Sequence, residues 1–359
     1  MKNVIVGISG GVDSAVAAAI LVEQGYNVEG LFMKNWEEED SKYCTSEEDY
    51  KDALSVCDIL NIPLRSVNFS ENYWNNVFEN FLNEYKIGRT PNPDILCNTE
   101  IKFKAFLDYA VELGAHKIAT GHFAQIKKKK YSYYLEKGVD KEKDQSYFLY
   151  GLNQKQLSKA IFPLGEWVKT DVRKKAKELG FNNHKKKDST GICFIGERHF
   201  REFLSRYISS APGKIVTIDG ETIGNHEGLM FYTIGQRKGL GIGGKKNAFE
   251  KPWYVIDKKV NENILIVGQD QKNPDLYHQY LSCSKLHWIS DILPDEDTSI
   301  TAKIRYRTID SVCTIKFCTN EKNIVFFEVP QFAITPGQSI VFYSKNICLG
   351  GGIIESRWN

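Results

Sequence analysis

The chain has 359 residues, which suggests two or three domains, each large enough to bury a hydrophobic core. Hydrophobic residues make up 42% of it, charged residues 26%, and the formal net charge is only +2, as in an ordinary soluble protein. The first residues lack a signal-peptide core and no apolar run is long enough to span a bilayer, so we exclude a membrane protein and expect a cytoplasmic one.

Cysteine and lysine are distributed differently along the chain. Eight scattered cysteines do not make a disulfide framework, and in a reducing cytosol they are thiols unless chemistry uses them. The lysines are clustered, at positions 127–130, 141 and 143, 174–177, 185–187 and 245–246. Such clusters are typical of solvated faces, but several in one chain also suit a polyanionic partner, and both interpretations stay open.

A glycine-rich turn joins the first predicted strand to the first predicted helix. Residues 4–6 are an apolar run typical of a buried strand, and residues 15–21 predict a helix that ends before Gly25. Gly10 and Gly11 have no Cβ, so backbone N–H groups can approach an anion beside the positive helix N-terminus. The turn predicts a phosphate site, with a chance glycine pair as the structural alternative.

The turn sequence Ser-Gly-Gly-Val-Asp-Ser at 9–14 resembles the pyrophosphate loop of the ATP-pyrophosphatase superfamily, which splits ATP between its α and β phosphates and transfers AMP to a substrate oxygen. No lysine follows the glycines, so it is not a GxxxxGK[ST] loop. Asp13 suits a ligand of Mg²⁺ that bridges phosphates. The resemblance implies ATP and Mg²⁺ as cofactors and a set of ATP-binding residues, namely Gly7, Ile8, Ser9, Gly10, Gly11, Val12, Asp13, Ser14, Met33 and Gly121.

Strands alternate with helices through the following residues. The predicted strands are 28–33, 64–68 and 117–121, and a helix at 46–60 opens with a capping-box pattern. Apolar residues from Trp74 to Tyr85 and from Ala105 to Leu113 mark one helix face each and are interpreted as core. This alternation predicts an α/β fold with a doubly wound parallel sheet, whose ligands bind at the carboxyl ends of the strands.

Three residues stand at such strand ends. Met33 ends the second strand and is expected to pack on the adenine, and Gly121 ends the fourth. His122 follows it and, taken alone, suits a surface residue as well as a site residue.

Residues 88–98 have a composition suited to chemistry. Two prolines are expected to forbid a helix and to stiffen a loop that presents an amide, a carboxylate and the Cys97 thiol. A second thiol, Cys193, lies in a glycine-flanked turn at 188–196. For each cysteine alone, burial as a small hydrophobic residue is the more common outcome, and the sequence does not show that the two meet.

The pattern changes to strands and turns after about residue 196. One further helix is predicted at 200–208, then strands at 214–218, 253–256 and 264–267 with a hairpin turn at 219–220. From about residue 281 strands at 299–307, 311–317, 324–329, 339–343 and 347–354 suit a small barrel. We therefore predict a catalytic domain at 1–200, a small β-rich central domain at 201–280 and a C-terminal β-barrel at 281–359.

The strand predicted at 299–307 alternates apolar residues with Thr301, Lys303, Arg305 and Arg307, which gives it one cationic face. Two other patterns are not interpreted as sites. Residues 239–244 fit GxGxxG, but no helix follows, so a basic loop is favoured. Cys313 and Cys318 are five apart on a strand and are expected to face opposite sides, which does not suit a shared metal.

Five segments together resemble the MnmA family of bacterial tRNA-uridine 2-sulfurtransferases, and the resemblance covers the whole chain. They are the turn at 9–14, Asn92-Pro93-Asp94 with Cys97, the 143–149 segment, the 191–196 turn and the 235–239 loop. The resemblance implies adenylation of uracil O2 at the wobble position (U34) of tRNAs for Lys, Glu and Gln, followed by sulfur transfer that gives 2-thiouridine, AMP and pyrophosphate. Its fold agrees with the domains predicted above.

The family also implies residue roles. Cys193 would accept persulfide sulfur from a donor protein or cysteine desulfurase, Cys97 would then close a Cys97–Cys193 disulfide, and Asp94 would act as acid or base. Residues implied to contact the tRNA anticodon region are Asn92, Pro93, Asp94, His122, Lys143, Asp144, Gln145, Arg305, Tyr306 and Gln338. An amidating synthetase with the same phosphate loop, and a non-catalytic RNA-binding protein, remain the alternatives.

Overall fold

The computed structural model describes residues 2–37, 46–188, 200–242, 251–290, 293–294, 300–318 and 322–359. Its α-helices are α1 (Val12–Glu23), α2 (Ser46–Leu60), α3 (Ser70–Tyr73), α4 (Glu79–Lys86), α5 (Pro93–Leu96), α6 (Phe106–Glu112), α7 (Gln154–Lys159), α8 (Lys169–Glu178) and α9 (Phe200–Ser205). π-Helical turns at Trp74–Phe78 and Cys97–Ala105 join α3 to α4 and α5 to α6. Short 3₁₀ helices are Ser146–Leu149, Asn182–Lys185, Leu229–Phe231 and Pro274–Leu276.

The strands belong to three sheets. They are β1 (Asn3–Gly7), β2 (Asn27–Lys34), β3 (Leu64–Asn68), β4 (Lys117–Ala119), β5 (Ala124–Lys129), β6 (Ser132–Lys137), β7 (Ala160–Ile161), β8 (Gly213–Thr217), β9 (Thr222–His226), β10 (Trp253–Lys259), β11 (Ile264–Gln269), β12 (Tyr277–Trp288), β13 (Thr301–Lys303), β14 (Ser311–Lys316), β15 (Asn323–Phe332), β16 (Ser339–Ser344) and β17 (Ile347–Trp358).

The first sheet has the order β3-β2-β1-β4-β7, and its strands are parallel. Strand β1 lies in the middle, with Val4 opposite Val28 on one side and Lys117 on the other. The predicted doubly wound sheet is confirmed, and the turn after β1 falls at the point where the strand order reverses. Strand β4 ends at Ala119, so Gly121 and His122 lie beyond it rather than in the strand.

Helix packing follows from side-chain size. The alanines at 15 and 17–19 of α1 are almost completely buried, and their small side chains let the helix lie close to the sheet. Val77, Phe78 and Phe81 are fully buried, as predicted for a core face. The sequence predicts Trp74 in the same core, but its side chain is 37% exposed and stacks on Trp36 with 5.7 Å between ring centroids.

The central sheet has the order β10-β11-β8-β9, in which β8 and β11 are parallel and the other pairs antiparallel. A turn with Gly220 at φ +88° joins β8 to β9, as the sequence predicted. The basic loop expected at 239–246 lies partly outside the described residues. The predicted domain boundaries stay predictions, because the described strands do not fix the residue at which one domain ends and the next begins.

The last sheet closes into a barrel of six strands, because β12 pairs with both β15 and β17. The strand predicted at 299–307 is wrong beyond Lys303, where β13 ends and the chain turns. A hairpin that sequence reasoning missed, β5–β6, extends this sheet by pairing β6 with β17. The first domain therefore contributes its lysine-rich residues 127–129 to the edge of the barrel sheet.

None of the helices within the described ranges is long and apolar enough to cross a membrane. Cys313 in β14 is buried, whereas Cys318 is partly exposed and lies beyond the end of that strand at Lys316.

Candidate active site

The turn between β1 and α1 requires glycine at one position. Gly10 has a φ of +76°, and a Cβ there would lie 2.4 Å from the carbonyl oxygen of Asp49 in α2. Any other residue would strain the backbone and collide with α2. The Asn183 side chain also donates a hydrogen bond to the Gly10 carbonyl at 3.0 Å. The turn is thus held by α2 and by the 182–185 helix independently of a ligand.

Ser9 and Ser14 stabilise the same turn. The Ser9 N–H donates to the Ser14 hydroxyl at 3.1 Å, and that hydroxyl donates to the Gly11 carbonyl at 3.0 Å. Ser14 is buried, so its hydroxyl serves the turn itself, whereas Ser9 is exposed. Within the described residues no side chain caps α1, so the N–H groups of its first turn can donate to an anion.

The two strands beside β1 bring Met33 and Gly121 to the turn. A Cβ on Gly121 would lie 2.7 Å from the backbone nitrogen of Ser14, so this backbone packs directly on the start of α1. A Cβ on Gly7 would lie 3.1 Å from Met33 Cε, which places the methionine against the end of β1. Contact of either residue with ATP stays a prediction.

A lysine does reach the turn, from α8. Lys169 Nζ lies 2.6 and 2.8 Å from the two carboxylate oxygens of Asp13 and 2.7 Å from the Asp188 carboxylate. Asp188 also pairs with Lys143 at 2.5 Å and with Arg173 at 2.7 Å. This charge cluster holds three cations, Lys143, Lys169 and Arg173, and beside it the Asp140 carboxylate accepts hydrogen bonds from the backbone N–H groups of Lys143 and Lys169. Lys169, which lies at the turn, is the cation placed to meet an added anion such as a phosphate.

Sequence reasoning missed Lys169, Arg173 and Asp188. Asp13 and Lys169 are 156 positions apart, so no local pattern joins them. The one available signal was indirect, since a phosphate loop without its own lysine calls for a cation from elsewhere in the chain.

The two carboxylates differ in how firmly they keep their charge. Burial raises the pKa of Asp13, although the Lys169 ammonium opposes this effect. Burial also disfavours the charged form of Asp188, but hydrogen bonds from Lys143 and Lys169 outweigh it and hold the pKa of Asp188 at about 2. Asp188 is therefore ionised at neutral pH, whereas the charge of Asp13 depends on a cation beside it.

The oxygen donors at the turn fit a Mg²⁺ ion shared with phosphates. Asp13 supplies one carboxylate whose side chain is 33% exposed. Mg²⁺ is usually held by one or two carboxylates and completed by phosphates and water. In the part of the chain that the structure describes, no group of three or more His, Cys, Asp or Glu residues could hold a metal ion alone.

The segment with Asp94 and Cys97 begins a helix. Asn92 Oδ1 accepts a hydrogen bond from the Asp94 N–H at 3.2 Å and caps α5, and Pro93 occupies the first turn. The prediction that two prolines forbid a helix is wrong from Pro93 onward, because a first-turn residue needs no N–H and proline has a suitable φ. Cys97 is completely buried and Asp94 partly exposed. Gln338 of the barrel reaches the preceding residues, as its Nε2 donates to the Thr90 carbonyl at 2.8 Å.

The 143–149 segment connects this helix to the barrel. Asn98 Nδ2, one residue after Cys97, donates to the Phe148 carbonyl at 3.1 Å. The Phe148 ring packs on Tyr306 at 4.4 Å between centroids, and the Tyr306 hydroxyl lies 3.4 Å from the Lys143 carbonyl. The structure therefore brings Lys143 and Tyr306 together beside the helix that carries Cys97.

Asp144 and Gln145 make their contacts inside the protein. Asp144 is 4% exposed, and its carboxylate accepts hydrogen bonds from the Ser146 hydroxyl and the Gly138 N–H, both at 3.1 Å. Gln145 Oε1 accepts from the Phe123 N–H at 2.9 Å. These contacts support the shape of the 143–149 segment, and tRNA contact by either residue stays a prediction.

His122 is a buried neutral histidine. It is 7% exposed, its Nδ1 lies 2.6 Å from the Thr120 hydroxyl, and its ring packs against Phe103 and Phe162. Burial lowers the pKa of His122 well below its usual value. A tRNA contact of this residue stays a prediction, and it would require the ring to become accessible.

Arg305 does not lie on an exposed cationic face. Its guanidinium donates to the carbonyls of Ile234 at 2.7 Å and Ala333 at 3.0 Å and to the Thr335 hydroxyl. Lys303 is likewise turned inward, with its ammonium 3.7 Å from Asp144. The expected alternation failed here because β13 ends before Arg305 and the side chain satisfies carbonyl groups between the central sheet and the barrel.

We expect Arg305→Ala to lower the free energy of unfolding by about 2–3 kcal/mol, because three acceptors lose a charged donor. Thermal and urea denaturation measure this effect. Arg307→Ala is the matched control, since Arg307 is exposed and should change stability by less than about 0.5 kcal/mol. An unchanged stability for Arg305→Ala, together with a shallower salt dependence of tRNA affinity, would instead make it a phosphate contact.

Several buried cysteines of the described residues have thiols with raised pKa values. Cys193 lies outside the described residues, as does the turn around it. Burial raises the pKa of Cys57, Cys283 and Cys313 to about 12 each, so these thiols are protonated and poorly nucleophilic at neutral pH.

Family models match three successive parts of the chain. A model described as tRNA methyl transferase HUP domain matches residues 2–197, a tRNA methyl transferase PRC-barrel domain matches 201–269, and an aminomethyltransferase beta-barrel domain matches 278–354. A protein from Shigella boydii serotype 18 is 58% identical to this chain, and one from Proteus mirabilis is 57% identical to it. Both are called tRNA-specific 2-thiouridylase MnmA. The alignments cover 99% of this chain and 97% and 98% of those proteins.

Solved structures show weaker similarity. The U34-tRNA thiolase NcsA from Methanococcus maripaludis with its [4Fe-4S] cluster is 21% identical, has a TM-score of 0.37, and the match covers 57% of this chain and 63% of that one. A 4-thiouridine synthetase in an RNA complex with bound ATP is 20% identical with a TM-score of 0.36, over 54% of this chain and 44% of that one.

Proposed function

The chain belongs to the family of tRNA-specific 2-thiouridylases, and from that premise we propose how its residues form 2-thiouridine in tRNA. The expected target is the wobble uridine (U34) of tRNAs for Lys, Glu and Gln. The reaction has two parts, an ATP-dependent activation of the uracil O2 and a transfer of sulfur to C2.

Activation uses the turn at 9–14 and the charge cluster. The uracil O2 attacks the α-phosphorus of ATP, the bond to the β-phosphate breaks, and pyrophosphate leaves as O2 becomes adenylated. The N–H groups at the start of α1 and the Lys169 ammonium would stabilise the charge on the phosphates. Mg²⁺, held by Asp13, would supply further charge neutralisation. The Lys169 ammonium would move from Asp13 to a phosphate while it keeps its ion pair with Asp188.

Sulfur transfer uses the thiols. Cys193 would carry a persulfide supplied by a sulfur-relay protein or cysteine desulfurase, and its terminal sulfur would attack C2 as AMP leaves with the former O2. The Cys97 thiolate would then attack the Cys193 sulfur, which breaks the bond to the transferred sulfur and leaves a Cys97–Cys193 disulfide. A cellular thiol reductant must restore both thiols. Asp94 would act as the acid or base toward the uracil ring, and Asn92 and Pro93 would flank the flipped uridine.

One observation carries the proposal beyond the family relationship. A continuous series of contacts joins the phosphate turn to the thiol helix. Asp13 binds Lys169, Lys169 binds Asp188, and Asp188 binds Lys143. The 143–149 segment in turn binds Asn98 next to Cys97. An ATP site and a thiol coupled in this way suit a reaction in which an adenylated base passes to a sulfur carrier.

We infer that this reaction takes place in the cytoplasm.

The test measures two products with one tRNA. Purified protein, ATP, Mg²⁺, a tRNA for Lys and a persulfide-loading desulfurase should give AMP only when tRNA is present, and 2-thiouridine by mass spectrometry. An amidating synthetase would make AMP with a small acid and ammonia instead of tRNA. A non-catalytic RNA-binding protein would bind tRNA without consuming ATP. Either result would contradict the proposal.

A further inference from the structure

Arg173 in the middle of α8 binds one short segment of the chain, residues 182–188, which we call the connecting segment. Its Nη1 donates to the carbonyls of His184 and Lys186, both at 3.0 Å. Its Nη2 pairs with the Asp188 carboxylate at 2.7 Å. The guanidinium therefore fixes the backbone before Asp188 as well as the side chain of Asp188 itself.

The connecting segment is also bound to α2 and to the phosphate turn. The Lys186 ammonium lies 2.7 Å from the Asp49 carboxylate and 2.5 Å from that of Asp52, both in α2. The Asn183 amide donates to the Gly10 carbonyl in the turn. The segment thus joins α8 to α2 and to the turn at which ATP is expected to bind.

Lys169 begins α8 and is held both by its backbone and by its side chain. Its backbone N–H donates to the Asp140 carboxylate at 2.9 Å. Its ammonium lies 2.6 Å from Asp13 of the turn and 2.7 Å from Asp188 of the connecting segment. The Lys169 side chain is only 10% exposed, so little water is available to replace either carboxylate. The position of Asp188 therefore sets the position of the ammonium.

A surface ion pair is the simpler interpretation of Arg173. Exposed ion pairs contribute little, because both side chains move freely in water. The Arg173 side chain is only 33% exposed, however, and two of its three acceptors are backbone carbonyls. A planar guanidinium can meet three acceptors at once, whereas a lysine ammonium is a point charge on a flexible stem. These contacts suit the fixing of one geometry better than a general attraction between charges.

We propose that Arg173 is a positioning residue for the activation of uracil O2, which acts through Asp188 to direct the Lys169 ammonium at the phosphates of ATP. The inference rests on the proposed function, because it assigns a role within the same ATP site. Arg173 itself does not touch ATP in this role. Without Arg173, Asp188 is free to leave Lys169, and the ammonium then stays on Asp13 instead of moving to a phosphate.

The test measures the Kd of an ATP analogue with a methylene bridge between its α and β phosphates, which binds with Mg²⁺ and is not cleaved. Arg173→Met should weaken this binding about fivefold, because Lys169 loses its direction. Arg173→Lys keeps the charge but not the planar fork, so its Kd should lie within a factor of about two of that of Arg173→Met. Lys174→Met is the matched control, since Lys174 lies in the same helix with 76% of its side chain exposed. It should leave the Kd unchanged.

A double-mutant cycle separates positioning from a loss of stability. In a Lys169→Met background, Arg173→Met should weaken binding of the analogue by less than about 1.5-fold, because the ammonium through which Arg173 acts is absent. The fall in thermal denaturation midpoint caused by Arg173→Met should persist in both backgrounds. An equal loss of affinity with and without Lys169, or wild-type affinity in Arg173→Met or Arg173→Lys, would overturn the inference.

Failure of the proposed function gives a different result. Wild-type protein that bound the analogue but released no pyrophosphate with ATP and tRNA would contradict the proposed function. The cycle would still measure whether Arg173 acts on ATP binding through Lys169.

Discussion

Asp13→Asn should reduce tRNA-dependent release of pyrophosphate by at least about 100-fold, because the change removes the carboxylate that faces both Lys169 and the phosphate turn. Asparagine has the same shape but no charge, so it would bind the proposed Mg²⁺ more weakly and would lose the ion pair that directs Lys169 at the turn. Lys169 retains its ion pair with Asp188, so we expect the variant to fold. The affinity for tRNA should change little.

The measurement is pyrophosphate release with saturating ATP and tRNA, alongside tRNA binding by filter retention. Asp171→Asn is the matched control, since Asp171 is an exposed aspartate in the first turn of the same helix as Lys169. It should retain full activity. Pyrophosphate release at the wild-type rate by Asp13→Asn would remove the turn at 9–14 from the ATP site.

What could be predicted from sequence was set by local periodicity. The strand, turn and helix at residues 3–23 follow from an apolar run, two glycines and an alanine-rich helix, all within one short segment. Likewise the barrel strands at 311–316 and 339–344 follow from short apolar segments between turns. Such patterns act over a few residues, and the structure agrees with them.

The remaining features depend on residues that meet only in the folded chain. Lys169 bears no local mark of a site, since a lysine in a lysine-rich helix is ordinarily solvated. Arg305 was assigned to a cationic face because alternation was extended past the end of β13, where its side chain turns to backbone carbonyls instead. The sequence predicts a helix breaker at Pro93, although the Asn92 cap makes it a helix start. Each error came from applying a rule for the interior of an element to its end.

Replacing Cys193 and replacing Cys97 should each stop a different step of the reaction. Cys193→Ser should still adenylate tRNA and release pyrophosphate, but it should accept no persulfide, and 2-thiouridine should fall below detection. Cys97→Ser should accept persulfide at Cys193 and fail to turn over, because no thiolate remains to displace the transferred sulfur. Persulfide loading and 2-thiouridine are both followed by mass spectrometry, with activity expressed per folded molecule.

Burial is the competing explanation for Cys97, whose side chain is completely inside the protein. A serine placed there buries a hydroxyl in place of a thiol and should lower the free energy of unfolding by about 1–3 kcal/mol whether or not the thiol reacts. Cys57→Ser is therefore the matched control, because Cys57 in α2 is equally buried and burial raises its pKa to about 12. It should lose similar stability and keep the thiolation rate of its folded fraction. If Cys97→Ser behaved like Cys57→Ser, Cys97 would be a packing residue, and the transferred sulfur would have to be released without it.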